Sequence, residues 1–375
     1  MSRVPSPVDV FVVGGGPAGL ATAIAARRHG LSVVVADGAI PPIDKSCGEG
    51  LMPDGVEALR ELGITIPESE VFPFRGIRFL SGGANAEARF PRGTGYGIRR
   101  IHLHRILLDH AAACGVRLLW QTVVNGLHPE GALVAGQLLR AHWIVGADGC
   151  TSRVRGWAKL NQESYPQSNR KHRFGFRRHY RITPWTDFME LHWGHQCQIY
   201  VTPVSRDEVC FAAVSSNPKL RVEDALAEFP ELCARVENAD DSSDERGGVT
   251  VTRTPRRVYR DRTALVGDAS GGVDAITGEG LCLAFRQSAL LGECLANGDL
   301  ARYQTGHRTL LRRPALMARL MLFMAKHQHL RKRTMQVFQS SPRSFAGMLA
   351  MHVGEGSTGD YISNGIALGW ELLRA

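Results

Sequence analysis

The sequence predicts an α/β fold, and three observations along its 375 residues predict it. An apolar run, Val8 to Val13, leads directly into Gly14-Gly15-Gly16-Pro17-Ala18-Gly19 and an alanine-rich segment. Between Lys171 and Ser215 the texture changes to short β-type runs. Near the C-terminal end a strand–turn–helix pattern returns at Thr263 to Ala296. A chain that leaves a domain and re-enters it builds a discontinuous domain. The expected architecture is a Rossmann-type, three-layer dinucleotide-binding domain, an inserted antiparallel β-sheet domain lying over it, and a helical C-terminal tail.

Each element has its own signal. Val8–Val13 and Ser32–Ala36 read as buried parallel strands, with a helix at Pro17–His29 between them. Helical patterns follow at Pro53–Leu62 and Ile101–Cys114, and a short buried strand at His142–Ala147. Gln198–Val201 and Val209–Val214 read as strands of the inserted sheet, and Arg221–Asn238 as helix and loop. Thr263–Val266 is the returning strand and Gly280–Ala296 its helix. These assign 1–70, 97–165 and 250–300 to the nucleotide-binding domain, 71–96 and 166–249 to the substrate domain, and 301–375 to the tail.

Composition narrows the function classes. Apolar residues at 44% and charged residues at 22% are ordinary for a globular chain. The formal charge of +9 suits an anionic cofactor, an anionic substrate or an acidic membrane surface. The basic residues show no nucleic-acid module, so no nucleic-acid partner is expected. The eight Cys stand singly with no C-x-x-C pair, which argues against a zinc site and for free thiols in a reducing, cytoplasmic compartment. No signal peptide and no membrane-spanning apolar run is read.

The glycines at 14, 16 and 19 match G-x-G-x-x-G between a strand and a helix. Gly14 permits the tight turn, Gly16 lets backbone approach a diphosphate, and Gly19 lets helix and strand pack closely. Pro17 and Ala18 open the helix, whose N-terminus favours anions. Asp37 follows the second strand, placed to accept hydrogen bonds from ribose hydroxyls. An ordinary Gly-rich turn with a surface acid is the competing reading. This unit alone does not separate NAD from FAD.

The separation lies in Leu265-Val266-Gly267-Asp268-Ala269, followed by Gly271-Gly272-Val273-Asp274 and Thr277-Gly278-Glu279-Gly280. With these motifs the chain resembles the FAD-dependent group of aromatic hydroxylases, flavin-dependent halogenases and geranylgeranyl reductases. The resemblance implies that Asp268, after Gly267, binds the ribityl chain of FAD, and that Gly278, Glu279 and Gly280 contact the isoalloxazine. Gly146-Ala147-Asp148-Gly149 resembles the group's middle Asp-Gly motif, which places Asp148 near FAD and the NAD(P)H path. Gly97-Ile98-Arg99-Arg100 resembles the stretch whose arginine sits beside the cofactor, with Arg100 preferred to Arg99.

Ser46-Cys47-Gly48-Glu49-Gly50 is similar to a segment of the reductases whose Cys lies near the flavin. Cys47 is thus a candidate to shape the flavin face or relay a proton, with a buried, inert thiol as the alternative. The reductases' aromatic strand over the substrate corresponds to Gln198–Pro203, with Tyr200 and Pro203 as pocket residues. That strand departs from their Tyr-x-Trp-x-Phe-Pro pattern, which weighs against a long isoprenoid substrate. No halogenase Trp motif is found. His102, His104, His192 and His195 are weighed as bases and read as structural or solvated. No residues have metal-ligand spacing.

The tail alternates basic and apolar residues over 312–333, which suits a helix that touches a membrane surface; a helix packed on the core is the competing reading. The stretch Leu316–Met324 is a further candidate wall of the substrate pocket. The resemblance implies an NAD(P)H-dependent FAD monooxygenase of a small apolar or polyketide-like molecule. The alternative it leaves is an FAD enzyme reducing an isoprenoid C=C bond.

Overall fold

A computed structural model describes residues 7–162, 172–355 and 359; residues 1–6, the expected boundary at 165/166 and the end of the tail lie outside them. Strand β1 (Val8–Val13) leads into helix α1 (Pro17–Arg28) and strand β2 (Val33–Ala36). Helix α2 (Pro53–Glu61), strands β3 (Gly76–Ser81) and β4 (Ala84–Arg89), helix α3 (Arg100–Ala113) and strand β5 (Arg117–Leu119) follow. Then come β6 (Gln137–Gly146), α4 (Arg153–Trp157), β7 (Arg173–Arg181), β8 (Met189–Trp193), β9 (Cys197–Pro203) and β10 (Glu208–Ser215). Strand β11 (Thr263–Leu265) and helices α5 (Gly280–Ala296), α6 (Leu300–Lys326), α7 (Gln328–Ser340) and α8 (Pro342–His352) complete the described chain.

β11, β6, β1, β2 and β5 lie side by side in that order, all parallel. β1 is apolar on both faces because both are covered. Val10 and Val12 face the core beneath the helices, while Phe11 and Val13 face a second cluster with Val134 and Val154. The layer on that side includes a β-hairpin, Val124–His128 with Gly131–Val134. β6 serves both layers. Its first half pairs antiparallel with the hairpin and its second half parallel with β1. The strand expected at His142–Ala147 therefore starts five residues earlier, at Gln137.

On the opposite face α1 crosses α5 closely. Thr22 Oγ1 donates to Ser288 Oγ at 2.9 Å, and a Cβ on Gly292 would stand 2.5 Å from that of Ala25. Small residues at the crossing seat the N-termini of both helices at one cleft.

The second sheet runs Asp240–Asp241, β7, β10, β9, β8, β3, β4. Its neighbours are antiparallel except β8 and β3, which pair parallel across distant parts of the chain. α7 and α8 pack against β4. The stretch read as helix and loop after Arg221 forms two short helices, Val222–Leu226 and Pro230–Val236.

Candidate active site

A cleft of about 320 Å³ opens between the two sheets. One side is backbone. Gly14 sits at φ +112°, and a Cβ there would stand 2.4 Å from the Ala147 carbonyl oxygen. A Cβ on Gly19 would stand 1.9 Å from the Gly14 oxygen, so this glycine is fixed by packing. Gly16 differs: a Cβ there would meet only the Arg100 guanidinium, at 4.0 Å. Gly16, Pro17 and Ala18 line the cleft, and no side chain caps the N-terminus of α1. The same holds for α5, whose Gly280 and the preceding Gly278 also line it. Two sets of unsatisfied N–H groups therefore converge on one space.

Arg100 adds a formal charge. Its side chain is buried and lines the cleft, its Nε has no hydrogen-bond partner, and it forms no ion pair with a described residue. Burial lowers its pKa, against the raising influence of Cys47, Glu49 and Asp268. A buried cation without an anion is costly. The donor set fits an anionic group such as the diphosphate of a dinucleotide. Arg99, the neighbouring candidate, turns away to pair with Glu208 and does not line the cleft. Successive residues at a helix start point in different directions, so only Arg100, the preferred candidate, faces the cleft.

Asp268 stands in the turn Gly267–Ser270 after β11 and projects into the cleft. It is reached by solvent there, yet deep among protein atoms; that burial raises its pKa, while Arg100 and Lys45 lower it. The turn is held from behind. Gly267, at φ +59°, donates its N–H to Gln287 Oε1 at 2.9 Å, and Ser270 Oγ lies 2.8 Å from the Gly267 oxygen and 2.9 Å from His307 Nε2. Asp37 Oδ2 accepts the Gly15 N–H at 2.7 Å and Oδ1 the Ala39 N–H at 2.8 Å. It is half-buried beside the glycine turn, outside the cleft lining. Trp120, which the sequence reading missed, packs on Gly15 close to Asp37.

Three further expected residues stand elsewhere than the motifs suggest. Asp148 accepts from Ser152 Oγ and from the N–H groups of Arg153 and Val154, so it caps α4 rather than facing the cleft. Glu279 turns to Arg313 at 3.4 Å and His352 at 3.7 Å, and burial raises its pKa. Pro203 lies with its carbonyl against Gly97, outside the cleft lining.

The other side of the cleft is made of side chains. Cys47, Gly48, Met189, Tyr200, Ala212 and Val214 form an apolar wall from the 47–50 loop and strands β8 to β10. Burial raises the Cys47 thiol pKa, and the Glu49 N–H points to its sulfur at 3.4 Å. The Tyr200 hydroxyl donates to the Ile276 carbonyl, so its ring shapes the wall while its proton is committed. Tyr200 also borders a second, apolar cavity walled by Met317 and Met321 of α6 and by Phe345 of α8.

A buried polar cluster that sequence reading missed runs back from that wall, reaching the cleft lining through Glu49. Glu49 Oε2 is 2.6 Å from His179 Nε2, and Glu49 Oε1 accepts the Arg100 N–H at 2.9 Å. Arg177 Nε stands 3.7 Å from Glu49 Oε1, and Arg177 also pairs with Asp44. Donor atoms of Glu49, His179 and Cys210 lie within 4.8 Å of one another, a separation a metal could bridge. Here both Glu49 oxygens are engaged by protein donors and a guanidinium lies alongside, so protein groups already balance this carboxylate.

No histidine among the described residues lines the cleft. His104 Nε2 is 2.8 Å from the Gly15 oxygen, His102 pairs with Glu70, His192 with Glu190, and His195 bonds Gln328.

Comparison with known proteins agrees with this geometry. The chain matches the FAD binding domain family over residues 7–310 and belongs to it. It is 26% identical over 328 residues to digeranylgeranylglycerophospholipid reductase 1 of Methanothermobacter thermautotrophicus, covering 80% of each chain. It is 25% identical over 338 residues to ubiquinone hydroxylase UbiM of Neisseria meningitidis, covering 81% of this chain and 72% of that one. A flavoprotein/dehydrogenase from Cytophaga hutchinsonii superposes with a TM-score of 0.79 at 18% identity, covering 92% of this chain and 93% of that one. The chain is an FAD-dependent oxidoreductase.

Proposed function

We propose that this member of the FAD binding domain family is an NAD(P)H-dependent monooxygenase of a small apolar molecule. The carrying observation is the apolar patch opposite the cofactor side, Cys47, Met189, Tyr200, Ala212 and Val214, which has no histidine and is edged by Lys45, Ser46 and Glu49. Such a wall binds and orients an apolar molecule and excludes water. When bound, FAD supplies the redox and oxygen chemistry, which no side chain of this set could supply. Arg100 and the N-termini of α1 and α5 hold the diphosphate and add positive charge. Asp268 accepts hydrogen bonds from ribityl hydroxyls. The hydroxylase relative supports this reading by its named activity.

A second reading has its own observation. Burial keeps the Cys47 thiol protonated at the cleft wall, a proton source suited to reducing a C=C bond. The reductase relative supports it by name. The experiment is turnover of apolar aromatic and isoprenoid compounds by the FAD-loaded protein with NADPH, with and without O2. Monooxygenation consumes one O2 per product and stops without it. Anaerobic product formation that falls sharply in Cys47→Ser, at unchanged FAD content, would replace it with the reductase reading.

A further inference from the structure

From Leu300 to Gly354 the chain carries ten Lys and Arg and no Asp or Glu, so this one segment accounts for the whole excess of the +9 protein. It folds as α6, α7 and α8. α6 is two-faced. Met317, Met321 and Met324 are buried on its inner side, two of them walling the apolar cavity beside Tyr200. On its outer side Leu316, Leu320 and Phe323 are 55%, 46% and 53% exposed, three of the six exposed large hydrophobic residues of the described chain. Their spacing, i, i+4 and i+7, makes one stripe. Arg312, Arg319 and Lys326 fall on the same outer face by the same spacing, and all are exposed. None of these three makes an ion pair with a described residue, unlike the neighbouring Arg313, which is held by Asp54 and Glu279. Lys332 and Arg333, exposed on α7, extend the positive field.

We propose that this outer face of α6 docks on an anionic lipid bilayer. An apolar stripe alone would fit many partners. A stripe flanked by unpaired cations, on a segment without one carboxylate, matches apolar insertion combined with attraction to acidic headgroups. No helix among the described residues is long and apolar enough to cross a membrane, so the contact is with the surface. The docked face would lie directly over the cavity that adjoins the catalytic cleft. On the activity proposed above, an apolar substrate would then be drawn from the bilayer; the docking itself does not depend on that activity.

The test is co-sedimentation of the full-length, FAD-loaded protein with vesicles of phosphatidylglycerol and phosphatidylcholine, against vesicles of phosphatidylcholine alone. Binding should require phosphatidylglycerol and weaken as NaCl is raised. Leu316→Ser/Leu320→Ser/Phe323→Ser and Arg312→Glu/Arg319→Glu/Lys326→Glu should each weaken it at least tenfold. Both keep exposed positions polar, and unchanged FAD content reports that the fold is intact. Binding that ignores headgroup charge, or that neither variant weakens, overturns the proposal. So does absence of binding to the phosphatidylglycerol vesicles; a dimer that the Leu/Phe variant then converts to monomer would make a second copy the occupant.

Discussion

The two sides of the cleft are built by different means. The side formed by the turns at Gly14–Gly19, Gly267 and Gly278–Gly280 is largely backbone, and each of these turns is one short stretch of sequence. The opposite side is side chains carried from residues 45–50, 189 and 200–214, backed by an ion network that joins Glu49 to His179 and Arg177. A backbone site is specified by a few local residues and grips what every FAD has in common. A side-chain wall depends on long-range packing and is free to vary with the substrate. On this view, damage to the network should cost stability, and damage to the backbone side should cost cofactor.

The sharpest stress on that division is Glu49→Ala. It leaves His179 and Arg177 without their shared buried carboxylate, and breaking a buried pair costs about 3–5 kcal/mol. Chemical denaturation should show a loss of that size even in the absence of FAD. An unchanged midpoint would mean that the wall is held by apolar packing alone.

The next effect reaches the cofactor side from behind. Burial lowers the His307 pKa to about 4, and its ring bonds Ser270 in the Asp268 turn. Unfolded, this group titrates near 6.5, so between pH 6.5 and about 4 the unfolded chain binds the extra proton. Its contribution is complete above pH 6.5 and is lost as pH falls towards 4, roughly 3 kcal/mol in all. The slope of stability against pH in this window should flatten in His307→Gln. An identical slope in the variant would assign the acid sensitivity to other groups.

A smaller difference separates the two carboxylates of the cofactor side. Asp268→Ala removes an acceptor that projects into the cleft, and hydrogen bonds to charged groups are worth about 1.5–3 kcal/mol, or roughly 10- to 150-fold in FAD affinity. Asp37 already spends both oxygens on the Gly15 and Ala39 N–H groups. Asp37→Ala should weaken FAD less, through loosening of the glycine turn. Titrations of FAD into the two apoproteins rank them; the reverse order would move the main cofactor carboxylate to Asp37.

The same division explains what could be read from the sequence. The turn at Gly14–Gly19 and the Gly267-Asp268 turn were legible because strand, turn and helix follow one another within a few residues. The motif favours Arg100 over Arg99 only slightly, because it is the helix start at Arg100 that turns this side chain to the cleft and sends Arg99 to Glu208. Asp148 and Glu279 sit in motif positions, yet local caps and partners take their carboxylates elsewhere. The Glu49 network left no local trace, because its members come from three separate segments and meet only when β7 and β10 pair. β6 was read too short because its outer half is half-buried and pairs antiparallel, unlike its buried inner half.

Whether backbone of this cleft holds the FAD diphosphate is read from Gly16→Val, measured as FAD affinity beside apoprotein stability. A Cβ at Gly16 enters open cleft and reaches only Arg100, at 4.0 Å, whereas one at Gly19 would collide with the Gly14 carbonyl. Gly16→Val should fold with an unchanged melting temperature and lose FAD affinity by about 100-fold or more, an overpacking cost of roughly 3 kcal/mol falling only on the complex. A stable Gly16→Val protein that binds FAD as tightly as the parent would contradict it.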